Sequence, residues 1–324
     1  MSEDSARANR YCQSEGRRAY FVPALPSLLS PPQYMKALKW IGVALASLVG
    51  LVLIVVIALN VVGRRKAASA ADVAGTPVTV PANDSALLAR GAHLADFMGC
   101  EGCHGTGMAG KPFALPAVLV GMAAPNLTAG EGGVGATYTP EDWERAIRHG
   151  VAKDGRRLII MPSEAYTNLN DTDAAALIAY LRTLPPVSQS FPARKIGVVG
   201  GALLGAGIFP TVSEMIAHDS VGKRMAIAPG VTAEYGRYLA HVTGCNVCHG
   251  ADLRGGKEAG GGGPPPGPSL IAFVANNSAE AFRNTIRTGT TPSGRALNPE
   301  FMPWPYFGKM TDDELEAIRL YISQ

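Results

Sequence analysis

The chain has 324 residues, 47% of them hydrophobic and 17% charged, with a formal net charge of +3. That length is enough for two domains of ordinary size. The charge is uneven: residues 1–70 hold nine Lys/Arg against three Asp/Glu, residues 71–185 eight against twelve, and 231–324 eight against nine. No basic face marks the body of the chain, which excludes a nucleic-acid binder.

Residues 1–34 are polar and mixed, without apolar periodicity, and read as a disordered extension. Met35-Lys36-Ala37 resembles a natural start, and Cys12 upstream of it reads as a free thiol. Residues 35–63 read as a transmembrane anchor. From Ile41 to Val62 there are 22 residues without a charge, and at 1.5 Å per residue they cover the roughly 30 Å hydrocarbon core of a bilayer. A cleaved signal would need a shorter apolar core beside a small-residue site. Ala68-Ser69-Ala70 has that composition, but Arg64-Arg65-Lys66 separates it from an overlong run. Residues 64–83 are expected to be a tether.

Two motifs follow, Cys100-Glu101-Gly102-Cys103-His104 and Cys245-Asn246-Val247-Cys248-His249. C-x-x-C-H is the attachment signature of c-type haem. Two thiols three residues apart lie on adjacent points of one helical turn, and the next residue places an imidazole beneath the iron. Zinc would need further Cys or His ligands in closed tetrahedral geometry, and a thioredoxin-like site would sit in a βαβ pattern. The cofactors expected are therefore two covalently attached haems c.

The flanks of the motifs repeat. Gly91 and Gly236 each lie nine residues before the first cysteine. Thr139-Pro140-Glu141-Asp142-Trp143 matches Ser278-Ala279-Glu280-Ala281-Phe282, each a hydroxyl N-cap opening a helix, and both helices run to Ile-Arg and then glycine. Asp154-Gly155-Arg156 matches Ser293-Gly294-Arg295 as a turn. Asn170-x-x-Asp173 and Thr311-x-x-Glu314 start the last helix of each half, with Tyr180 and Tyr321 in equivalent positions. Between the middle and last helices stand Met161-Pro162 and Met302-Pro303, 57 and 53 residues beyond their histidines. A thioether is a soft, neutral iron ligand, and a proline stiffens the loop presenting it, so the predicted axial pairs are His104 with Met161 and His249 with Met302. Met310 matches Leu169 and reads as the residue leading into the last helix. His93, His149, His218 and His241 do not recur and read as local hydrogen-bonding residues.

Over residues 84–185 and 231–324 the chain resembles class I c-type cytochromes, twice. The resemblance implies an all-α fold: one N-terminal transmembrane helix, then two tandem class I cytochrome c domains, each with its haem wedged between helices. It also implies that Gly91 and Gly236 let the first helix of each domain cross closely over Tyr180 and Tyr321. In layout the chain looks like the cytochrome subunits that accompany membrane dehydrogenases or oxidases. Expected partners are membrane lipid and redox proteins (a dehydrogenase, an oxidase or another cytochrome). The expected function is electron transfer by a single-pass protein of the bacterial inner membrane, because haem c attachment places the domains in the periplasm. A dihaem peroxidase is the alternative enzyme, but it needs an open sixth position, which Met161 and Met302 argue against. The interdomain stretch 186–230 contains the apolar run Ile196–Phe209, too short to span a bilayer; it could lie in the membrane interface, but reads better as packing between the domains or contact with a partner subunit. Gly255–Pro268, after the second motif, is too rich in Gly and Pro for a regular element and is expected to border that haem.

Overall fold

The computed structural model describes residues 31–76, 78–81, 84–221, 227–256 and 266–324; Cys12 and most of the N-terminal extension lie outside them. The chain divides into two compact units, 1–52 and 53–324. The described part of the first is the opening of helix α1 (Pro31–Ala68), and the second holds the rest of α1 and everything after it.

Helix α1 continues beyond Gly63 through the expected tether to Ala68. Arg, Lys and Ala favour helix, and Arg65 and Lys66 sit at the end where the macrodipole favours cations. Residues beyond it are held in place as well. The Ala71 amide donates to the Gly155 carbonyl at 3.0 Å and the Thr76 amide to Glu144 Oε2 at 2.8 Å.

The first half comprises α2 (Ser85–Phe97), α3 (Cys100–His104), α4 (Pro140–His149), α5 (Ser163–Tyr166) and α6 (Asp171–Leu181). Short strands β1 (Lys111–Pro112), β2 (Val120–Gly121) and β3 (Ala123–Ala124) lie between α3 and α4. After this half come β4 (Lys195–Ile196) and α7 (Val198–Gly205). The second half comprises α8 (Ala233–Val242), α9 (Cys245–His249), α10 (Leu270–Asn276), α11 (Ala279–Thr288), α12 (Trp304–Phe307) and α13 (Asp312–Ile322). The fold is mostly helical, with two antiparallel strand pairs, β1–β3 and β2–β4. Caps set the helix starts. Thr139, Asn170, Ser278 and Thr311 each accept from the amide three residues on, and Thr139–Asp142 and Thr311–Glu314 close capping boxes.

In each half the first and last helices cross at a glycine. A Cβ on Gly91 would collide with the Ala176 carbonyl and crowd Tyr180 Cβ, and one on Gly236 would collide with the Ala317 carbonyl. The close crossing is as expected, but the main obstacle is the backbone of an alanine one turn before the tyrosine.

The halves meet through equivalent surfaces. Ala165 of α5 packs on Gly244, just before the second motif, and Tyr306 of α12 packs on Gly99 and Gly102 at the first. Between them Arg90 pairs with Asp173 (2.8 Å) and Glu314 (3.1 Å). Tyr238 donates to Asp173 at 2.6 Å, and His93 Nε2 donates to Glu314 at 2.7 Å. The buried residues of both halves form one continuous apolar core.

Candidate haem sites

Helix α3 begins at Gly99, in the left-handed region at φ 70°, and α9 at Gly244, at φ 73°. Only glycine adopts that conformation without strain, so each motif helix turns sharply out of the helix before it. All four motif cysteines are free thiols. Burial pushes Cys100 up to about 12 and raises Cys103, Cys245 and Cys248, so each is a neutral thiol, with Cys103 the exposed one of the four. Among the described residues no group of three or more His, Cys, Asp or Glu is placed to hold a metal ion. The motifs therefore do not make a closed zinc site of their own.

Both motif histidines are buried and oriented alike. His104 donates from Nδ1 to the Pro125 carbonyl at 2.9 Å, and His249 donates from Nδ1 to the Pro268 carbonyl at 2.7 Å. Since a carbonyl only accepts, Nδ1 carries the proton and Nε2 keeps its lone pair. Burial lowers both imidazole pKa values, against the pull of those carbonyls, which keeps the rings neutral. A ring so fixed is a ready metal ligand.

Each motif opens on a cavity. The first, about 920 Å³, is lined by Cys100, Cys103, His104, Trp143, Met161 and Leu177 among others. The second, about 370 Å³, is lined by Cys245, Cys248, His249, Phe282, Met302 and Met310. The structure thus brings together every residue predicted for each site. Met310 also lines the second cavity, an added role for a residue expected only to lead into α13.

The cavities fit haem, an apolar plate with two carboxylates at its edge. Trp143 lines the first, and its buried indole N–H has no acceptor among the described residues. Arg156 and Arg194 line the same cavity, and burial, with the charge of Arg156, lowers Arg194 to about 10. Arg156 already pairs with Asp154 at 3.3 Å, so an anion there would chiefly relieve Arg194. Arg295, the repeat counterpart of Arg156, lines the second cavity. In the sequence this Gly-Arg pair reads as a turn and Pro125 has no signal, whereas Pro268 belongs to the Gly255–Pro268 stretch expected beside the second haem. The recurrence of the arginine was the available signal.

The remaining histidines pack elsewhere. His149 is buried, with Nδ1 2.8 Å from His218 Nδ1 and Nε2 3.3 Å from Glu144. Its position in that cluster is a structural one, away from the cavity lining.

A family model described as Cytochrome c matches residues 88–185 and 233–324, more than half of the chain. The chain is 35% identical over 179 residues to the gluconate 2-dehydrogenase cytochrome c subunit of Pantoea cypripedii, an alignment covering 52% of this chain and 38% of that protein. It is 30% identical to the fructose dehydrogenase cytochrome subunit of Gluconobacter japonicus, over 50% of this chain and 34% of the relative. It is also 30% identical to the cytochrome c subunit of alcohol dehydrogenase (quinone) from Gluconacetobacter polyoxogenes, over 56% and 40%. The chain thus spans between a third and about two fifths of the length of these curated relatives. Each matched segment holds one C-x-x-C-H motif at a cavity suited to haem, and the chain belongs to the cytochrome c family.

Proposed function

We propose that the chain is a dihaem electron relay, with two tandem class I cytochrome c domains anchored by α1. Cys100 and Cys103 would hold one haem c, with His104 and Met161 offered to its iron; Cys245 and Cys248 would hold the other, with His249 and Met302. The observation that carries this reading is the repeated geometry: a neutral, carbonyl-oriented histidine and a Met-Pro loop lining one cavity, twice over. Bound there, haem iron supplies one-electron oxidation and reduction.

The surrounding residues do the rest. Pro125 and Pro268 fix the imidazole tautomer. The thioethers of Met161 and Met302, neutral and soft, favour the reduced charge state and raise the potential. Trp143, Leu177, Phe282 and Leu315 exclude water, while Arg156, Arg194 and Arg295 neutralise the carboxylate edges. Because the halves meet through α5 and α12, electron exchange between haems stays within one molecule.

Helix α1 is the membrane anchor. It is long and apolar enough to cross a bilayer, and Tyr34 and Trp40 near its start suit a headgroup boundary. Haem attachment places both domains on the periplasmic face of the inner membrane. The donor is a dehydrogenase subunit, since the relatives are named as cytochrome subunits of dehydrogenases, and the acceptor is a cytochrome or oxidase.

The test is a pyridine haemochrome count together with two substitutions. Wild type is expected to hold two haems per chain. Met161→Ala and Met302→Ala should each keep both haems, abolish one Met–iron absorption band and lower one midpoint potential. A single haem, or unchanged bands and potentials, refutes the assignment.

A further inference from the structure

Residues 112–130 contain no charge. They leave β1, make a tip and return through β2 and β3, and the tip is exposed, with Val118 59% accessible. Helix α7 sits directly against it: the Gly197 amide donates to Leu119 at 2.9 Å and the Val199 amide to Val118 at 3.0 Å. A Cβ on Gly197 or Gly200 would strike these same carbonyls.

On its other side α7 packs on the end of α1. Gly63 faces Gly201 and Gly205 so closely that no Cβ fits at any of the three, the small-residue contact by which helices approach inside membranes. Asn60, one of two polar residues in the uncharged run 41–62, donates from its side-chain amide to Gly197 at 3.1 Å and Val198 at 2.9 Å. An amide at that depth needs such acceptors in the absence of water.

Around this contact the large apolar side chains point outward. Val198 is 54% and Ile208 57% exposed, with Val199 and Phe209 beside them and Val61 and Val62 on α1. No acidic residue occurs between Lys195 and Ser213, whereas Arg64, Arg65 and Lys195 supply the cations. Single exposed apolar residues are ordinary; here they extend the surface of the anchor itself, with cations at its edge.

Resting on the reading of α1 as an anchor, we propose that α7, Ile208-Phe209 and the tip Leu115–Val118 form a second membrane contact, buried in the lipid interface beside α1. The depth argument fixes the occupant. α7 bonds Asn60, within the run that crosses the bilayer, so it shares the depth of Asn60, and lipid covers its outer face. Cations then meet anionic headgroups. The first haem cavity, lined by Arg64, Phe113, Lys195 and Ile196, is thereby held against the membrane surface.

The test uses the full-length holoprotein in phospholipid vesicles containing a lipid with a photoactivatable diazirine on its acyl chain, with adducts mapped by peptide mass spectrometry. Adducts are expected on α1 and, on the order of tenfold above those on α11, on peptides holding residues 115–118 and 198–209. Adducts on α1 alone overturn this proposal while leaving the anchor intact. None on α1 overturns the anchor reading itself. A Val199→Glu/Phe209→Glu variant that keeps both haems should lose adducts on 198–209. Unchanged labelling there would also overturn the proposal, and protection of that surface by a copurified protein in place of lipid would assign it to a protein partner.

Discussion

Arg148 and Arg287 occupy equivalent places in the two halves, yet their surroundings give them different weight. Each pairs with the acid that opens its last helix, Asp171 at 2.7 Å and Asp312 at 2.8 Å. Arg148 is fully buried and also holds Glu144, itself fully buried, at 2.9 Å, whereas the Arg287 side chain is 34% exposed. Removing one partner of a buried pair leaves an uncompensated charge and typically costs about 3–5 kcal/mol. Arg148→Ala should therefore lose about that much in urea unfolding followed at the haem, while Arg287→Ala shows only the small effect of a partly exposed pair. Comparable losses would contradict this account. The Ile-Arg-x-Gly end of each helix was legible as a repeat, because it is local; the ion pairs it makes, with acids 23 and 25 residues on, were not. Nor was the difference in burial, since it depends on Thr76 and Leu169, brought in from distant parts of the chain around Arg148 and the Glu144 one turn before it. The same holds for His93, read as a local hydrogen-bonding residue, whose carboxylate partner lies 221 residues away.

Among the elements, the helices that carry the sites announced themselves through caps and a helical period, and the crossing glycines through their fixed spacing. Helix α7 did not: it is apolar on every side and half glycine or alanine, so it shows no period, and packing alone holds it. The strands are two residues each, too short to alternate. The crossings yield a direct expectation. Gly91→Ala or Gly236→Ala puts a methyl group where an alanine carbonyl stands, forcing α2 from α6 or α8 from α13. Overpacking of this kind costs about 1–3 kcal/mol, visible as a lowered thermal midpoint for the Met–iron bands. A wild-type midpoint in both variants would show that the helices part freely. Read from sequence, each substitution should affect its own half alone. The continuous core predicts instead that both bands are lost in one transition.

For the molecule as a whole, acid is the natural probe of the junction between halves. Burial works to raise the Glu314 pKa, but the bond from His93, the Thr311 amide and the charge of Arg90 together hold it near 2, against an ordinary 4.5. A depressed carboxylate contributes stability that is complete above its unfolded pKa and is lost as pH falls through the folded one. Stability should thus fall between about pH 4.5 and 2, by at most about 3 kcal/mol from this group. Glu314→Gln should be less stable at neutral pH and flatter across that window in unfolding measured against pH. An equally steep acid limb would place the loss elsewhere.

The exchange of equivalent contacts between α5, α12 and the two motif glycines has the pattern of a two-fold pair. Two separate copies of one chain, dimerising about a two-fold axis, make this kind of surface. Joined in a single polypeptide, the copies keep their high effective concentration and escape a restriction every homodimer bears, that a change on one side is a change on both. Arg90 faces Tyr235 as its counterpart, His93 faces Tyr238, and Trp143 faces Phe282. Within one chain the two halves are free to differ at equivalent positions, so the first site and the second need not behave alike.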